Sequence, residues 1–272
     1  MYKIGFVNYF NSLPIFSGLE NYSEIECIFG TPAEVSDLLI KGKVQAGQVP
    51  SFDYLLNNEQ LILFNKLCIS AKNDEIHSVL FFSPKQLNQL SNQTINLTDH
   101  SRTSNQLLKV LLNNYGNKEI EYKVSSQSTE DLIRCKKENV LLIGNEALRA
   151  KKCFDSGELT NYHCYDLGQL WFELTSLPFV FAVFASKNPL PTQIENILLN
   201  TLEKNLKNIG HLAKKAQSSS LNENELVRYF DLIEYKLDSI RHESLQRFCD
   251  FSKLNYSAFE NNLNEISNSV ND

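Results

Sequence analysis

Residues 24–50 read EIECIFGTPAEVSDLLIKGKVQAGQVP, and this stretch decides the fold class. Residues 24–29 form a short strand-like run with Ile25, Cys27, Ile28 and Phe29. Gly30 then gives way to three helix-start signals at once. Thr31 is an N-cap, Pro32 suits the first helical position, and Glu34 completes a capping box. Val35, Leu38 and Leu39 share one face, and Gly42 ends the helix. Residues 44–49 form the next strand. A strand, a helix and a strand in so short a span predict parallel pairing with a right-handed crossover.

Outward from there, residues 3–7 supply a preceding strand, making β-α-β-α-β in about fifty residues. The loop Asn8-Tyr9-Phe10-Asn11-Ser12-Leu13-Pro14 leads into a short helix to Gly18. Pro50-Ser51 opens a helix carrying Tyr54, Leu55 and Leu56. Strands follow at 61–70 and 78–83, separated by a charged turn, and Ser83-Pro84 starts a short helix to Leu90. The rhythm then restarts: strand 94–98, helix 104–115, strand 119–124, helix 129–138 (its start at Ser128-Thr129-Glu130-Asp131), strand 139–143 and helix 145–150. Residues 166–178 read as an amphipathic helix stopped by Pro178, with Trp171 and Phe172 expected in the core. Residues 179–186, FVFAVFAS, read as a buried strand. A helix at 194–209 and two more within 221–254 finish the pattern, and the Asn-rich tail beyond 261 is expected to fray.

The expectation is an α/β protein with two lobes in the layout of type II periplasmic-binding-protein-like folds. Strand 179–186 would return to the first sheet, so lobe 1 comprises 1–83 plus 179–272 and lobe 2 comprises 84–178. Ligand would sit in a cleft between the lobes, faced by the loops 8–12, 49–51, 77–78 and 100–104.

The 272-residue chain is 42% hydrophobic and carries a formal charge of −6, which argues against a non-specific nucleic-acid binder. Its six cysteines (Cys27, Cys68, Cys135, Cys153, Cys164, Cys249) show no CxxC and no Cys/His metal spacing, so reduced thiols and no metal are expected. The opening Met1-Tyr2-Lys3-Ile4-Gly5-Phe6-Val7 enters a strand without an h-region, and no run of 18 apolar residues occurs. A cytoplasmic location without membrane contact is therefore expected. No Gly-rich phosphate loop or nucleotide fingerprint is present.

The chemistry concentrates at Asp99-His100-Ser101-Arg102-Thr103-Ser104, a polar turn before a helix with Leu107, Leu108, Leu111 and Leu112 on one face. Ser101, Thr103 and Ser104 with Arg102 at a helix N-terminus make a carboxylate or phosphate cradle, although Ser and Thr are also the commonest ordinary caps. Arg102 has a second reading, reaching back to Asp99 to shape the turn. Asp99 and Glu173 suit structural roles, and Asn11 alone reads equally as a turn amide.

Five short motifs in order carry a resemblance. They are Asn8-Tyr9-Phe10-Asn11-Ser12-Leu13-Pro14, His77-Ser78-Val79, Ser101-Arg102-Thr103-Ser104, Leu142-Ile143-Gly144-Asn145-Glu146-Ala147-Leu148, and Leu177-Pro178-Phe179-Val180-Phe181-Ala182. Together the chain resembles the chorismate dehydratases of the futalosine route to menaquinone. The resemblance implies a cofactor-free hydro-lyase that converts chorismate, a dicarboxylate, to 3-[(1-carboxyvinyl)oxy]benzoate and water. It also implies that Asn11 and Ser78 contact substrate as catalytic groups, with Ser101, Arg102, Thr103, Ser104 and Asn145 around it. The family often has Asp where this chain has Asn145, which weakens any acid–base role there.

No base stands out. His77 neighbours Ser78 but would point away in a strand, and His100 only flanks the turn. The substrate's own enolpyruvyl carboxylate is the better proton acceptor. Two other readings stay open: the sister 1,4-dihydroxy-6-naphthoate synthases of the same pathway, and a small-carboxylate-binding module. A homodimer is left open.

Overall fold

The computed structural model describes residues 1–125, 128, 131, 138–218 and 221–254. The expected helix at 129–138, with Cys135, and the tail beyond 261 lie outside the described residues, apart from a few isolated positions. In chain order the strands are β1 (Tyr2–Val7), β2 (Ile25–Gly30), β3 (Ala46–Pro50), β4 (Ile62–Ala71), β5 (Val79–Ser83), β6 (Thr94–Leu97), β7 (Glu121–Val124), β8 (Asn139–Ile143), β9 (His163–Asp166), β10 (Val180–Ser186) and β11 (Ile233–Glu234). They form two sheets, ordered β11-β4-β10-β3-β1-β2 and β7-β6-β8-β5-β9.

The opening stretch folds as its residues dictate. Helix α1 (Leu13–Phe16) follows β1, and α2 (Pro32–Ile40) carries the full capping box. Thr31 N donates to Glu34 Oε2 at 2.8 Å, and Glu34 N donates to Thr31 Oγ1 at 3.3 Å. Helix α2 packs very close to β1 and β3. A Cβ at Gly47 would stand 2.9 Å from the Gly5 carbonyl oxygen and 3.2 Å from Val35 Cγ1, so only glycine permits this approach. β1 pairs in parallel with both β2 and β3.

Each sheet also contains an antiparallel strand. β10 runs antiparallel to β3 and β4, and β5 runs antiparallel to β8 and β9. These are the strands the chain enters directly after crossing between sheets. At the first crossing the chain leaves β4 at its carboxyl end, beside the cleft, and enters the other sheet at that same end. The new strand must then run away from the cleft, against its neighbours.

The two crossings occupy residues 72–78 and 176–179. Each holds a non-glycine residue in the left-handed region, His77 at φ 58° and Ser176 at φ 60°. Asp166 pins the first crossing, accepting from Ile76 N at 3.1 Å and His77 N at 2.6 Å while also capping the next helix through Gly168 N at 2.8 Å. β5 belongs to the second sheet, so the first crossing falls ahead of the break expected after residue 83.

The remaining helices are α3 (Ser51–Leu56), α4 (Arg102–Asn114), α5 (Gly144–Asp155), α6 (Leu167–Thr175), α7 (Thr192–Lys207), α8 (Ile209–Ala216), α9 (Glu223–Asp231) and α10 (Ser239–Phe251). The helix expected over 84–90 is only a 3-10 turn at Leu87–Gln89. Asn117 fixes it, accepting from Leu90 N at 2.9 Å and donating to Leu87 O at 2.6 Å. The helix expected over 194–209 breaks at Asn208, whose backbone leaves helical geometry.

Trp171 is fully buried on α6. It packs edge-on against Phe179, Phe248 and Phe251, and its indole N–H donates to Ser244 Oγ at 3.0 Å. Phe172, expected beside it in the core, is 36% exposed. The buried face of α6 is Leu167, Gly168, Leu170 and Trp171, and Phe172 falls off it.

Candidate functional site

The space between the two sheets holds a small cavity of about 60 Å3, below the usual size range of small-molecule sites. Its apolar wall includes Val7, Pro50, Ile69, Val79, Ile143 and Phe181. Its polar groups are Asn11 and Ser12 after β1, Ser78 just before β5, and Ser101 and Ser104 at the start of α4, with the Tyr9 ring at one side. The cleft-facing loops 8–12, 77–78 and 100–104 thus contribute as expected. Among the described residues lining it there is no Asp, Glu, His, Lys or Arg.

The lobes are tied together around this cavity. Phe52 N donates to Thr103 Oγ1 at 2.8 Å, Ala33 N donates to His100 O at 3.2 Å, and Phe10 N donates to Asn145 Oδ1 at 3.2 Å. Arg102 contacts Asp37 and Asp53, each at 3.2 Å. Gly144, at φ +61°, lies flat against the Tyr9 ring, where a Cβ would come within 2.9 Å. The Gly144 N–H donates to Ser78 O at 2.7 Å.

These ties sort the residues read from the sequence. Asn11, Ser78, Ser101 and Ser104 all face the cavity. Ser101 caps α4, accepting from Ser104 N at 3.2 Å, and Ser104 Oγ donates to Ser101 Oγ at 3.1 Å. The N–H groups of Arg102 and Thr103 lie in the first turn, where helix geometry supplies no partner. The side chains of Arg102, Thr103 and Asn145 instead bind the opposite lobe and are not among those lining the cavity. Arg102 pairs with Asp53 rather than Asp99, because Asp53 presents a buried carboxylate from α3 across the lobe interface.

Both histidines sit outside. His77 occupies a left-handed turn rather than a strand, with Nε2 2.7 Å from Glu75 Oε2, and His100 lies 3.4 Å from Asp99. Asp53 is held above the ordinary carboxyl range by burial, with Arg102 pulling the other way. Burial also pushes the Tyr9 phenol up to about 12, so it stays protonated at neutral pH.

The segment after residue 221 contributes two tyrosines that sequence reading assigned only to helices. Tyr235 donates from its hydroxyl to Asn11 O at 2.9 Å. Tyr229 is buried on α9, where burial raises its phenol while the Ser78 and Asn11 side chains pull the other way. The available signal was the apolar stripe Leu226, Tyr229, Phe230. A tyrosine in a buried stripe needs a partner for its hydroxyl.

A family model described as menaquinone biosynthesis matches residues 2–253. A chorismate dehydratase from Thermus thermophilus is 28% identical over 264 residues, covering 92% of this chain and 94% of that protein. Among solved structures, protein AF1704 from Archaeoglobus fulgidus aligns with a TM-score of 0.73 at 12% identity, covering 92% of this chain and 96% of its own. A Candida albicans protein described as having the generic periplasmic binding protein fold aligns at 0.66 and 12% identity, covering 97% and 94%. At such identities these likenesses speak to fold alone, and the fold is that of the periplasmic binding proteins.

Proposed function

The chain belongs to the menaquinone biosynthesis family, and within it we propose that this member is a chorismate dehydratase that makes 3-[(1-carboxyvinyl)oxy]benzoate and water. The observation that carries the reading is the interlobe cavity itself. It offers neutral hydrogen-bond donors at a helix N-terminus and no side-chain carboxylate or imidazole among its described walls. The 28% identical dehydratase relative, aligned over most of both chains, points the same way.

The chemistry suits such a site. In chorismate the C3 proton is acidified through the ring diene and its carboxylate. Its loss leaves an electron pair that forms the C3–C4 double bond, and the C4–O bond breaks with its pair on oxygen. Proton and hydroxide leave together as water, and the ring becomes aromatic. The reaction is redox-neutral and transfers no group, so its balance calls for no cofactor. The enolpyruvyl carboxylate, attached through oxygen at C3, takes the proton.

The protein's share is to hold two carboxylates and stabilise the leaving oxygen. Ser101 and Ser104 with the first-turn N–H groups of α4 receive one carboxylate. Ser78 donates to the leaving C4 hydroxyl, and Asn11 orients the enolpyruvyl arm. A preorganised donor of this kind contributes roughly 3 kcal/mol to the transition state.

The test is purified protein with chorismate, read by mass spectrometry. The expected result is loss of one water with the aromatic enol ether appearing, and a large drop in kcat for Asn11→Ala and Ser78→Ala. Unchanged kcat in both variants would sink the residue assignment. Intact chorismate that still raises Tm would favour a carboxylate-binding module. Turnover only to 1,4-dihydroxy-6-naphthoate from the sister enzyme's substrate would move the chain to that activity.

A further inference from the structure

Asn11 enters the cavity on a short turn whose backbone is short of one donor. Phe10–Ser12 is a single 3-10 turn leading into α1. Ser12 (φ −90°, ψ −17°) and Leu13 (φ −51°, ψ −43°) hold helical angles, so an N–H at position 14 would point back at the Asn11 carbonyl. Position 14 is proline, which has no N–H. The Tyr235 hydroxyl stands in that place and donates to Asn11 O at 2.9 Å. Chemistry fixes the direction, since a carbonyl oxygen only accepts.

Tyr235 is itself held on a rigid frame. It follows β11, which pairs with β4 through Ile233 and Glu234. Cys68 N on β4 donates to Tyr235 O at 2.9 Å, Tyr235 N donates to Glu234 Oε1 at 2.9 Å, and Tyr235 is 2% exposed. β4 runs on into the crossing that carries Ser78. A second side chain from the later half of the chain, Asn205 of α7, donates to Pro14 O at 3.0 Å and to Ser17 O at 2.8 Å. Asn11 and Ser12 line the cavity and Tyr235 is not among its lining residues, so the tyrosine acts from behind the turn.

We propose that Tyr235 is a positioning residue of the site: by taking the place of the donor that Pro14 lacks, its hydroxyl fixes the turn that aims the Asn11 side chain into the cavity. Its kinetic consequence rests on the dehydratase reading and on the part of Asn11 in it. Tyr235 touches no substrate and transfers no proton. Preorganisation of Asn11 matters most in the transition state, where geometry is most demanding, so the effect falls on kcat rather than KM.

Tyr235→Phe keeps the ring and deletes only the hydroxyl. Expected is a kcat on chorismate lower by about tenfold or more, with KM changed little. Asn11→Ala/Tyr235→Phe should be no slower than Asn11→Ala alone, because the tyrosine acts through the asparagine. Pro14→Ala/Tyr235→Phe should regain much of the lost kcat, because alanine returns an N–H to the place the hydroxyl left. A tyrosine that only packs would give multiplying losses with Asn11→Ala and no rescue by Pro14→Ala. Either result, or a Tyr235→Phe kcat within about twofold of wild type, overturns the proposal. If Tyr235→Phe does not fold, the rescue variant decides, and a rescue variant that also fails to fold overturns it as well.

A further readout needs no turnover. In protein labelled with 15N-asparagine, the Asn11 side-chain amide signal is the one missing from Asn11→Ala. It should move in Tyr235→Phe and return towards its wild-type position in Pro14→Ala/Tyr235→Phe. A signal unmoved by Tyr235→Phe overturns the positioning. If wild-type protein leaves chorismate intact, the dehydratase reading fails on its own, and this signal still decides what Tyr235 does.

Discussion

Arg102→Met is the most informative single perturbation of the lobe interface. The Arg102 guanidinium stands 3.2 Å from Asp53 Oδ2, and the Asp53 side chain is fully buried while that of Arg102 is 46% exposed. At that distance the gross attraction is about 5 kcal/mol for an effective dielectric near 20. Burial nevertheless keeps the Asp53 carboxyl above its ordinary value with Arg102 beside it, so desolvation consumes most of the gain. Removing Arg102 strips the compensation and leaves the cost. Breaking a buried pair typically costs ~3–5 kcal/mol. The exposure of Arg102 and the ability of Asp53 to take up a proton reduce this to about 2 kcal/mol.

Asp53→Asn should be nearly neutral, within about 1 kcal/mol, because it removes the buried charge. Arg102→Met/Asp53→Asn should recover most of the loss, a coupling of roughly 1–2 kcal/mol. Urea unfolding followed by the fluorescence of Trp171, the chain's one tryptophan, reads all four proteins. The pH dependence has a definite sign. A carboxyl raised in the folded state binds its proton there before the unfolded chain does. Its contribution to stability is therefore greatest below the unfolded value near 4 and is lost as pH rises through the folded one. The wild type should gain on Asp53→Asn as pH falls, and the Arg102→Met deficit should shrink. Additive losses in the cycle, or a deficit under about 0.5 kcal/mol, would refute the tie. A KM raised by Arg102→Met and not restored in the double variant would return Arg102 to the substrate.

Three further outcomes are expected. Gly144→Ala combines a left-handed backbone with a Cβ 2.9 Å from the Tyr9 ring, so it should cost about 2 kcal/mol or more in urea unfolding and raise KM by displacing Tyr9. Asn145→Asp keeps the acceptor for Phe10 N and should hold kcat/KM within a few fold, whereas Asn145→Ala should raise KM; equal effects of both would disprove the tie. Burial holds His242 below the ordinary imidazole range, so the unfolded chain takes the proton first. That contribution is complete above about pH 6.5 and lost as pH falls below it, and His242→Gln should flatten the Tm profile there.

The local chemistry of this chain was legible because its elements announce themselves within a few residues. The capping box of α2 involves only Thr31 and Glu34, and the run 179–186 is apolar enough to read as a buried strand with no partner in view. The return of that strand to the first sheet was an expectation of the two-lobe layout, and β10 does lie between β4 and β3. Ser101 and Ser104 stood out at a helix start and the Asn11 loop at the carboxyl end of a strand, where such folds put ligands, while Ser78 came only with the resemblance. β9 and β11 were not legible, since HCYD lacks alternation and a two-residue strand has no pattern to show.

Tertiary structure decided the rest. Nothing near Arg102 in the sequence distinguishes a substrate ligand from an ion pair. The deciding group, Asp53, lies half a lobe away and acts only because folding buries it 3.2 Å from the guanidinium. The exposure of Phe172 depends on which neighbours claim α6, a question of packing that helical period alone leaves open. Tyr235 reads as one more aromatic near the end of the chain until the fold brings its hydroxyl to the Asn11 carbonyl oxygen. Sequence by itself determined which segments pair, cap and turn, because those interactions span a few residues. Only the tertiary structure decided which polar side chains face the cavity and which lock the lobes, because those partners are tens to hundreds of residues apart and their meeting is set by packing.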